Sequence, residues 1–337
     1  MTRAWFENKD KQFDCQSMVV KLIDLCRNRG ADIEPLLRGT GIFYEDLYRR
    51  QNYLSFAQIE TLLSNAQKQV NSSDLSFLLG RRLFPNQNPD VSELIYNATS
   101  LADLLRLCRC YQYLMFPWLF ITVRQHQDKT WLIVDNAIAE SAQQLFFYEM
   151  LYTAVNATCK WHIGHQIPLH FYFRQKRPRN IYQYEENLGH RLTFNYPLNM
   201  IAVDNQWLNK KLLNSSALAR QHHRLQCSAQ LHKTPQRIGL LQYTRQLLTR
   251  ENINNLEELA DALAISQATL KRKLKQHGCS FQQIHDSVKS QTALFDLKVR
   301  QLSNEQAASS SRFNNLPNFR RAIKRWTGMT PSQLKSG

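Results

Sequence analysis

The chain has 337 residues, with 43 lysines and arginines against 27 aspartates and glutamates, a formal net charge of +16. At about 100–200 residues per domain, this length predicts two domains or three small ones. Hydrophobic residues make up 43%, which excludes disorder for most of the chain. The longest largely apolar run, Tyr113–Val123, is far shorter than the roughly 20 residues of a membrane span. Seven cysteines without regular spacing indicate reduced thiols, so we expect a cytoplasmic protein without a membrane segment.

Positive charge is concentrated in the last third of the chain. Residues 229–337 contain 17 lysines and arginines against 7 aspartates and glutamates, a net of +10, whereas residues 1–228 have a net of +6. A segment that neutralises phosphates would have this bias. A basic surface that only keeps the protein in solution would have it too. Charge alone leaves both interpretations open.

The first two thirds of the chain predict an α+β domain that begins with helices. Apolar side chains recur at helical spacing in four segments, Met18–Cys26, Phe56–Ala66, Leu75–Leu79 and Leu101–Cys108. Ser55 and Ser100 stand where an N-cap is expected before the second and fourth of these. β-Branched and aromatic residues then predict a hairpin and further strands, interrupted by one long helix. The strand segments are Trp118–Val123, Thr130–Val134, Ile167–Phe173 and Arg191–Val203, and the helix spans Ala139–Trp161.

The rest of the chain predicts a linker and a second domain. Leu208–Leu231 is polar and helix-forming, and Thr234–Pro235 opens a helical region that contains no convincing strand. The predicted organisation is therefore an α+β domain over residues 1–205, a linker over residues 206–231 and an all-α domain over residues 232–337.

The all-α domain contains a helix pair with a characteristic pattern. Apolar residues at i, i+3, i+4 and i+7 from Leu256 to Leu263 define one face of a short helix. Ser266 can cap a second helix, on which Leu270 and Leu274 point inward among lysines and an arginine. Ala260 leaves room for the two helices to cross closely. This pattern is typical of a helix-turn-helix, whose second helix enters the major groove of DNA.

A second copy of the pattern begins 49 residues later. Phe319 and Ile323 take the two inward positions, and Asn314 or Asn315 can cap the helix. Between the copies, Phe281–Leu297 has an apolar stripe and is long enough to hold two small units at a fixed separation. Such a rigid pair can enter successive major grooves, which are about 34 Å apart.

Both copies, and parts of the first domain, resemble a known family. In the second domain the matching runs are Leu259-Ala260, Ile265-Ser266, Thr269-Leu270-Lys271-Arg272, Gly278-Cys279-Ser280-Phe281 and Arg320 to Pro331. In the first they include Gly39-Thr40-Gly41-Ile42 and Leu78-Leu79-Gly80-Arg81. The second domain resembles the DNA-binding domain of AraC/XylS-type transcriptional regulators. The first resembles the "arabinose-binding" branch typified by ornithine-utilisation regulators. The resemblance implies a bacterial regulator, often dimeric, whose first domain binds a small effector.

The resemblance also implies which side chains contact DNA. Arg272 and Arg321 are the strongest candidates for reading guanine, because a guanidinium can pair with O6 and N7 together. Lys275, Lys324 and Arg325 are expected at phosphates. The remaining groove-facing positions are Ala268, Lys271, Pro317 and Asn318. The alternative is that all of these residues simply cover solvated helix faces.

The sequence departs from the family pattern mainly in the second copy. Ala264 and Arg312 occupy the turn position that is commonly glycine, and a positive φ there would cost about 1 kcal/mol or more. Ala307, Ala308 and Ser311 stand where larger apolar residues are usual, which predicts poor packing. We therefore predict that the first unit supplies most of the sequence specificity. The second unit is expected to be partly ordered until DNA is bound.

Metal and enzyme chemistry have little support in the sequence. Two groups of potential metal ligands, His162 with His165 and His222, His223, Cys227 with His232, lack the cysteine pairs of a zinc site. No Walker loop, dinucleotide-binding turn or nucleophile elbow is present. We expect no metal, no cofactor and no enzymatic activity.

The leading hypothesis is a homodimeric regulator that binds double-stranded promoter DNA and contacts RNA polymerase. Aromatic and basic residues of the first domain suit a pocket for a carboxylated metabolite or fatty acid, or else they form ordinary core and surface charge. A sequence-tolerant architectural nucleic-acid-binding protein is the rival hypothesis. A metal-dependent or small-molecule-transforming enzyme built on the first domain ranks below both.

Overall fold

The computed structural model describes residues 3–15, 18–49, 52–83, 89–212, 215–233, 237–251 and 253–336. It has the expected two parts, an α+β N-terminal domain and a helical C-terminal region with two helix-turn-helix units. In these residues, no helix combines the length and the apolar composition that crossing a lipid bilayer requires.

Helices make up most of the N-terminal domain. They are α1 (Val19–Arg27), α2 (Ile33–Leu37), α3 (Phe56–Gln69), α4 (Leu75–Leu83), α5 (Pro89–Tyr96), α6 (Leu101–Met115), α7 (Gln144–Ile163), α8 (Ile181–Leu188) and α9 (Ala217–Lys233), with 3₁₀ turns at Tyr44–Leu47 and Asn205–Trp207. The caps predicted at Ser55 and Ser100 are confirmed, since each side chain accepts a backbone N–H of the first helical turn. Gly80 lets α4 cross α7 closely, because a Cβ there would lie 2.5 Å from the carbonyl oxygen of Met150.

The long helix α7 begins later than the sequence predicts. The apolar pattern starts at Ala139, whereas the helix starts at Gln144. The residues just before it form a loop, in which the Glu140 N–H donates to the carbonyl oxygen of His277, 3.0 Å away. A hydrogen bond to a residue so distant in the chain leaves no local signal in the sequence.

Five strands form a mixed sheet, and the other four form two small pairs. The strands are β1 (Trp5–Phe6), β2 (Lys11–Asp14), β3 (Tyr53–Ser55), β4 (Leu119–His126), β5 (Lys129–Asn136), β6 (His170–Tyr172), β7 (Leu192–Thr193), β8 (Met200–Asp204) and β9 (Ile238–Gly239). The five-stranded sheet has the order β4-β5-β8-β6-β7 and is antiparallel except for the β6–β7 pair. The predicted hairpin is therefore confirmed as β4–β5, and β4 lies at an edge of the sheet.

The two faces of the sheet are buried against different parts of the molecule. Leu132 and Val134 of β5 belong to the core of the N-terminal domain. Trp131 and Ile133, the alternate residues of the same strand, pack with Phe295 and other residues of the C-terminal region. Because side chains alternate along a strand, β5 contributes to both cores. The sheet is thus also the surface on which the C-terminal region docks.

The connection between the two parts is a packed helix. α9 lies against α5, and its Cys227 is buried in the N-terminal core. The side chain of Gln230 donates to Asp90 at 2.7 Å. Most of α9 falls within the predicted 206–231 linker, so this segment is not an extended tether, and the boundaries themselves stay a prediction. Thr234–Pro235, where the second helical region is predicted to open, lies outside the described residues.

The C-terminal region is a set of short helices around one longer helix. They are α10 (Leu240–Arg250), α11 (Leu256–Ala262), α12 (Gln267–Gln276), α13 (Phe281–Lys298), α14 (Asn304–Ser310), α15 (Leu316–Thr327) and α16 (Pro331–Ser336). α13 packs against α10, α14, α15 and α16, and so connects the two units as predicted. The prediction that this region contains no strand is wrong, because β9 pairs in parallel with β1. A two-residue strand is too short to show a pattern.

Candidate DNA-binding surface

The first helix-turn-helix unit consists of α11 and α12. Leu259 of α11 and Leu270 and Leu274 of α12 are buried in one apolar cluster. The Ser266 hydroxyl accepts a hydrogen bond from the Thr269 N–H at 3.2 Å, so α12 begins where the sequence predicts. This packing turns the opposite side of α12 toward solvent.

The second unit, α14 and α15, has the same construction with smaller side chains. Ala307 and Ala308 of α14 are buried together with Phe319 of α15. Of the two predicted capping residues, Asn315 is the one in place, and its side-chain oxygen accepts the Asn318 N–H at 2.9 Å. A helix end that is capped in this way presents its first turn at a fixed position.

All nine side chains predicted to contact DNA are exposed. On α12 they are Ala268, Lys271, Arg272 and Lys275, and on α15 they are Pro317, Asn318, Arg321, Lys324 and Arg325. None of them is buried against the N-terminal domain. The structure thus brings the nine residues onto the outer surfaces of two similar units, as contact with DNA requires.

Both turns contain a non-glycine residue with left-handed backbone geometry. Ala264 has φ +52° and Arg312 has φ +58°, the positive values on which the expected strain depends. The next residue in each turn donates its N–H to a carbonyl oxygen five residues earlier, at 3.0 Å from Ile265 and 2.9 Å from Phe313. This Schellman-type closure holds both residues in place. The second turn is one residue longer, because its left-handed residue stands three rather than two positions before the N-cap.

The second unit and α13 form a groove that is rich in positive charge. Arg321 and Arg325 of α15 and Lys289 of α13 line it, and Asp286 of α13 pairs with Arg325 at 2.7 Å. Burial lowers the pKa of Lys289, with Asp286 opposing the shift and Arg312 adding to it. A phosphate in this groove would relieve the repulsion between the cations.

Comparison with known proteins identifies the family. Residues 30–212 match the arabinose-binding domain of AraC transcription regulators, N-terminal part, and residues 259–337 match a helix-turn-helix domain. The first of these matches alone covers more than half of the chain. The chain belongs to the AraC family of transcription regulators.

Its relatives include regulators that match over very different lengths. The ornithine utilization regulator of Pseudomonas aeruginosa is 24% identical over 317 residues, 93% of this chain and 94% of that protein. An uncharacterized HTH-type transcriptional regulator of Mycobacterium bovis is 26% identical over 110 residues, 32% of each chain. The crystal structure of the transcriptional regulator CdpR from Pseudomonas aeruginosa aligns with 82% of this chain and 91% of its own, at 16% identity and a TM-score of 0.38. With its helix-turn-helix domain and its full-length relative, this AraC-family chain is a DNA-binding transcription regulator.

The N-terminal segment of this AraC-family chain contacts the first unit, and no feature of the sequence predicts this contact. Trp5 is buried in the apolar cluster of that unit. The ammonium group of Lys273 on α12 lies 2.6 Å from the Glu7 carboxylate and 5.4 Å from the centroid of the Trp5 ring. One of the cations that surround α12 therefore faces the chain's own N-terminal segment and not solvent. The partners are more than 260 residues apart, so no local pattern could show the contact.

His277, just after α12, holds the same segment through its ring. Its Nδ1 lies 2.7 Å from the Lys273 carbonyl oxygen, and its Nε2 accepts the Asn8 N–H at 3.0 Å. The ring is therefore neutral, with its proton on Nδ1. Burial lowers the pKa of His277, with the Lys273 carbonyl and Glu7 opposing the shift. Burial raises the pKa of Glu7, but the hydrogen bond and charge of Lys273 outweigh it and lower that pKa overall.

Two of the histidines considered as metal ligands, His162 and His223, have other surroundings in the described residues. There, no group of three or more His, Cys, Asp or Glu side chains could hold a metal ion. His162 is a buried core residue, and burial lowers its pKa to about 4. His223 instead contacts Asp90, with 3.0 Å between Nδ1 and the carboxylate. All seven cysteines are free thiols.

Proposed function

We propose that this regulator recognises promoter DNA by placing α12 and α15 in successive major grooves. Arg272 and Arg321 would read guanines, while Lys275, Lys324 and Arg325 would contact phosphates. Ala268, Lys271, Pro317 and Asn318 would complete the groove-facing surface. The observation that supports this proposal is the exposure of all nine residues while the C-terminal region is docked on the sheet.

The proposed division of labour follows the two parts of the chain. Residues 1–205 would bind an effector, mediate homodimer formation or both, and residues 206–231 would connect them to the DNA-binding domain over residues 232–337. Bound at a promoter in the cytoplasm, the protein would contact RNA polymerase. The proposal includes no catalytic role and no cofactor. The direct packing of the C-terminal region on the sheet supports communication between the two parts.

Selection of binding sites from a random DNA library by the full-length chain tests this function. The selected site is then competed against random DNA at physiological salt. A regulator of this kind should prefer its site by a factor of roughly 10³ or more. A preference near one would support the architectural nucleic-acid-binding protein and overturn the proposal. Mapping of occupied genomic sites with and without candidate metabolites would identify promoters and effectors together.

The names of a relative and of the matching family suggest two compounds with which a proposed effector can be compared. The name of the full-length relative connects that protein with ornithine utilization, and the matching family is described as arabinose-binding. L-Ornithine carries two ammonium groups, and L-arabinose carries oxygen atoms along its whole carbon chain. They therefore serve below as the two polar reference compounds.

A further inference from the structure

A small cavity lies between α6, α7 and the β4–β5 hairpin, on the N-terminal side of the sheet. Its volume is about 70 Å³. The wall is almost entirely apolar and includes Leu104, Met115, Val123 and Leu132. Gln112 also lines it, but this buried side chain is already engaged, because its oxygen accepts the Ile121 N–H at 3.4 Å. An apolar part of a ligand would fit here without leaving polar groups unpaired.

Arg109 is the cation on the wall of this cavity. Within the part of the chain that the structure describes, no carboxylate forms an ion pair with Arg109. Arg106, three residues earlier on the same helix, does have such a partner, with 2.6 Å to the Asp103 carboxylate. A guanidinium without an internal partner, beside an apolar cavity, is suited to a ligand carboxylate, which it can hold with two parallel hydrogen bonds.

The composition of the wall also excludes classes of ligand. A sugar would bring several hydroxyl groups against side chains that cannot pair with them. An ammonium group on the ligand would be repelled by the positive charge of Arg109, and the apolar wall offers it no hydrogen-bond acceptor. An engineered apolar cavity of about 150 Å³ holds benzene, which has six carbons, so a cavity of about 70 Å³ suits a tail of roughly three carbons.

The strands that line the cavity also hold the DNA-binding domain on their other face. In the hairpin, Val123 pairs with Leu132, and both line the cavity. The adjacent pair, Arg124 with Trp131, points the other way. There the Arg124 guanidinium lies 5.0 Å from the centroid of the Phe295 ring of α13, and the Trp131 ring lies 6.2 Å from it.

One residue step along each strand therefore separates the cavity wall from the contact with α13. β4 is an edge strand, with a hydrogen-bonded neighbour on one side only in the described structure. A ligand that pushes Val123 and Leu132 outward would shift the pair next to it. α13 connects the two helix-turn-helix units, so such a shift changes how the units are held for DNA.

We infer that this cavity binds a short aliphatic monocarboxylate, with the tail between α6, α7 and the hairpin and the carboxylate on Arg109. Occupancy then changes DNA affinity through the β4–β5 hairpin. The inference rests on the proposed function, of which it specifies the effector class and the binding site.

Calorimetric titration of the full-length protein with butyrate, hexanoate, octanoate and decanoate tests the site. We expect one-to-one binding with an optimum at a short chain, and no binding of L-arabinose or L-ornithine. Arg109→Gln should weaken carboxylate binding by tenfold or more, while leaving binding of the uncharged alcohol of equal chain length unchanged. Arg106→Gln, on the same helix, is the matched control and should bind like the unaltered protein. Ala154→Leu, which fills the cavity from α7, should abolish binding of both compounds.

Several outcomes would overturn the assignment of the site. They are no binding at any chain length, binding that is indifferent to both Arg109→Gln and Ala154→Leu, or preference for either polar reference compound. Thermal melting of each variant verifies that it is folded. If Ala154→Leu does not fold, the Arg109→Gln variant still tests the site, because Arg109 is exposed.

The coupling is tested by DNA titrations of the same protein with and without saturating ligand, on the site selected from the library. We expect at least a threefold change in DNA affinity, and a smaller change in Arg124→Gln, which still binds the ligand. Ligand binding with unchanged DNA affinity would refute the coupling and retain the site. Failure to select any DNA site would instead count against the proposed function, whatever the ligand titrations show.

Discussion

The two helix-turn-helix units share a backbone plan but obtain their cores from different places. The first unit has leucines of its own and receives Trp5 from the start of the chain. The second has Ala307 and Ala308 at the corresponding interface, and its apolar cluster continues into the sheet through Trp131. Each of the two apolar clusters thus includes a tryptophan from outside the C-terminal region, and Trp131 contacts Phe295 of α13. We therefore expect the unit with smaller side chains to depend more on its contact with the sheet.

A buried carboxylate holds the second unit to α13. Asp296, near the end of α13, is 1% exposed. It accepts hydrogen bonds from the Arg300 guanidinium at 3.0 Å and from the Ser310 hydroxyl. Because Ser310 lies at the end of α14, this carboxylate ties the first helix of the second unit to α13. Polar anchoring here compensates for sparse apolar packing.

Removing each tryptophan should give the largest effects and separate the two units. Trp5→Ala should destabilise the first unit by about 3–5 kcal/mol, the usual range for a buried tryptophan. Trp131→Ala should act on the second unit. It should lower the free energy of unfolding by less than Trp5→Ala, because the buried Trp131 indole N–H has no hydrogen-bond partner in the described structure. Hydrogen exchange of α12 and α15 amides in the full chain measures both. Equal loss of protection in both units from either variant would contradict the comparison.

The arginines of the two recognition helices should differ in their effect on DNA binding. Arg272→Ala should cost about 1–3 kcal/mol on the selected site and relax preference at one base position. Arg321→Ala should cost less, because the first unit is predicted to supply most of the specificity. Lys324→Ala is the control for a phosphate contact and should weaken all DNAs similarly, reducing the salt slope by about 1. Identical losses for Arg272→Ala on specific and random DNA would refute its assignment.

The two units should also differ in how well ordered they are before DNA binds. Amides of α14 and α15 should exchange about tenfold faster than those of α11 and α12 in the free protein, equivalent to about 1.4 kcal/mol. Bound DNA should remove most of this difference. The physical reason is the smaller apolar area that Ala307 and Ala308 bury. Equal protection of both units in the free protein would show that contacts with the sheet and with Asp296 fully compensate for the smaller apolar area of the second unit.

Glycine at the left-handed turn positions should stabilise each unit, and the gain in the free energy of unfolding should be larger in the first. Ala264→Gly should raise the free energy of unfolding by up to about 1 kcal/mol, because glycine adopts positive φ without strain. Arg312→Gly should gain less, because the Arg312 guanidinium donates to the Thr249 carbonyl oxygen at 3.3 Å. Chemical denaturation measures both variants. A loss of stability in Ala264→Gly would mean that the turn is not strained.

Acid should weaken the contact between the N-terminal segment and the first unit, and should leave the second unit unchanged. We expect this to be the smallest of the predicted effects. The pKa of His277 is lowered from 6.5, so its contribution is complete above that value and is lost as the pH falls below it. The pKa of Glu7 is lowered from 4.5, so its contribution disappears at still lower pH. Protonated His277 can no longer accept the Asn8 N–H, and Glu7, Asp10 and Lys273 surround it.

Exchange of α12 amides between pH 8 and pH 5, corrected for intrinsic rates, measures this change. The amides of α15 serve as the internal reference, and His277→Gln should remove the component between pH 7 and pH 5. A pH response of equal size in α15 would assign the effect to general charge and not to His277.

Local patterns were sufficient to predict most elements and both recognition helices. The caps at Ser266 and Asn315 and the left-handed turns at Ala264 and Arg312 depend on residues within one or two helical turns. The hairpin β4–β5 depends on strands that are adjacent in the chain. Such features are visible because the interacting groups lie close together in sequence. The late start of α7 and the strand β9 were missed because their partners are far away in the chain.

By itself the sequence determined the fold classes, the family and the nine exposed positions of the candidate surface, since periodicity, capping and motif spacing are local properties. Only the tertiary structure decided that Trp5 completes the first unit, that Lys273 faces Glu7, and that one sheet has a ligand-sized cavity on one face and α13 on the other. Those contacts join side chains that are far apart along the chain. Their energy comes from packing and burial, which no local pattern of residues records.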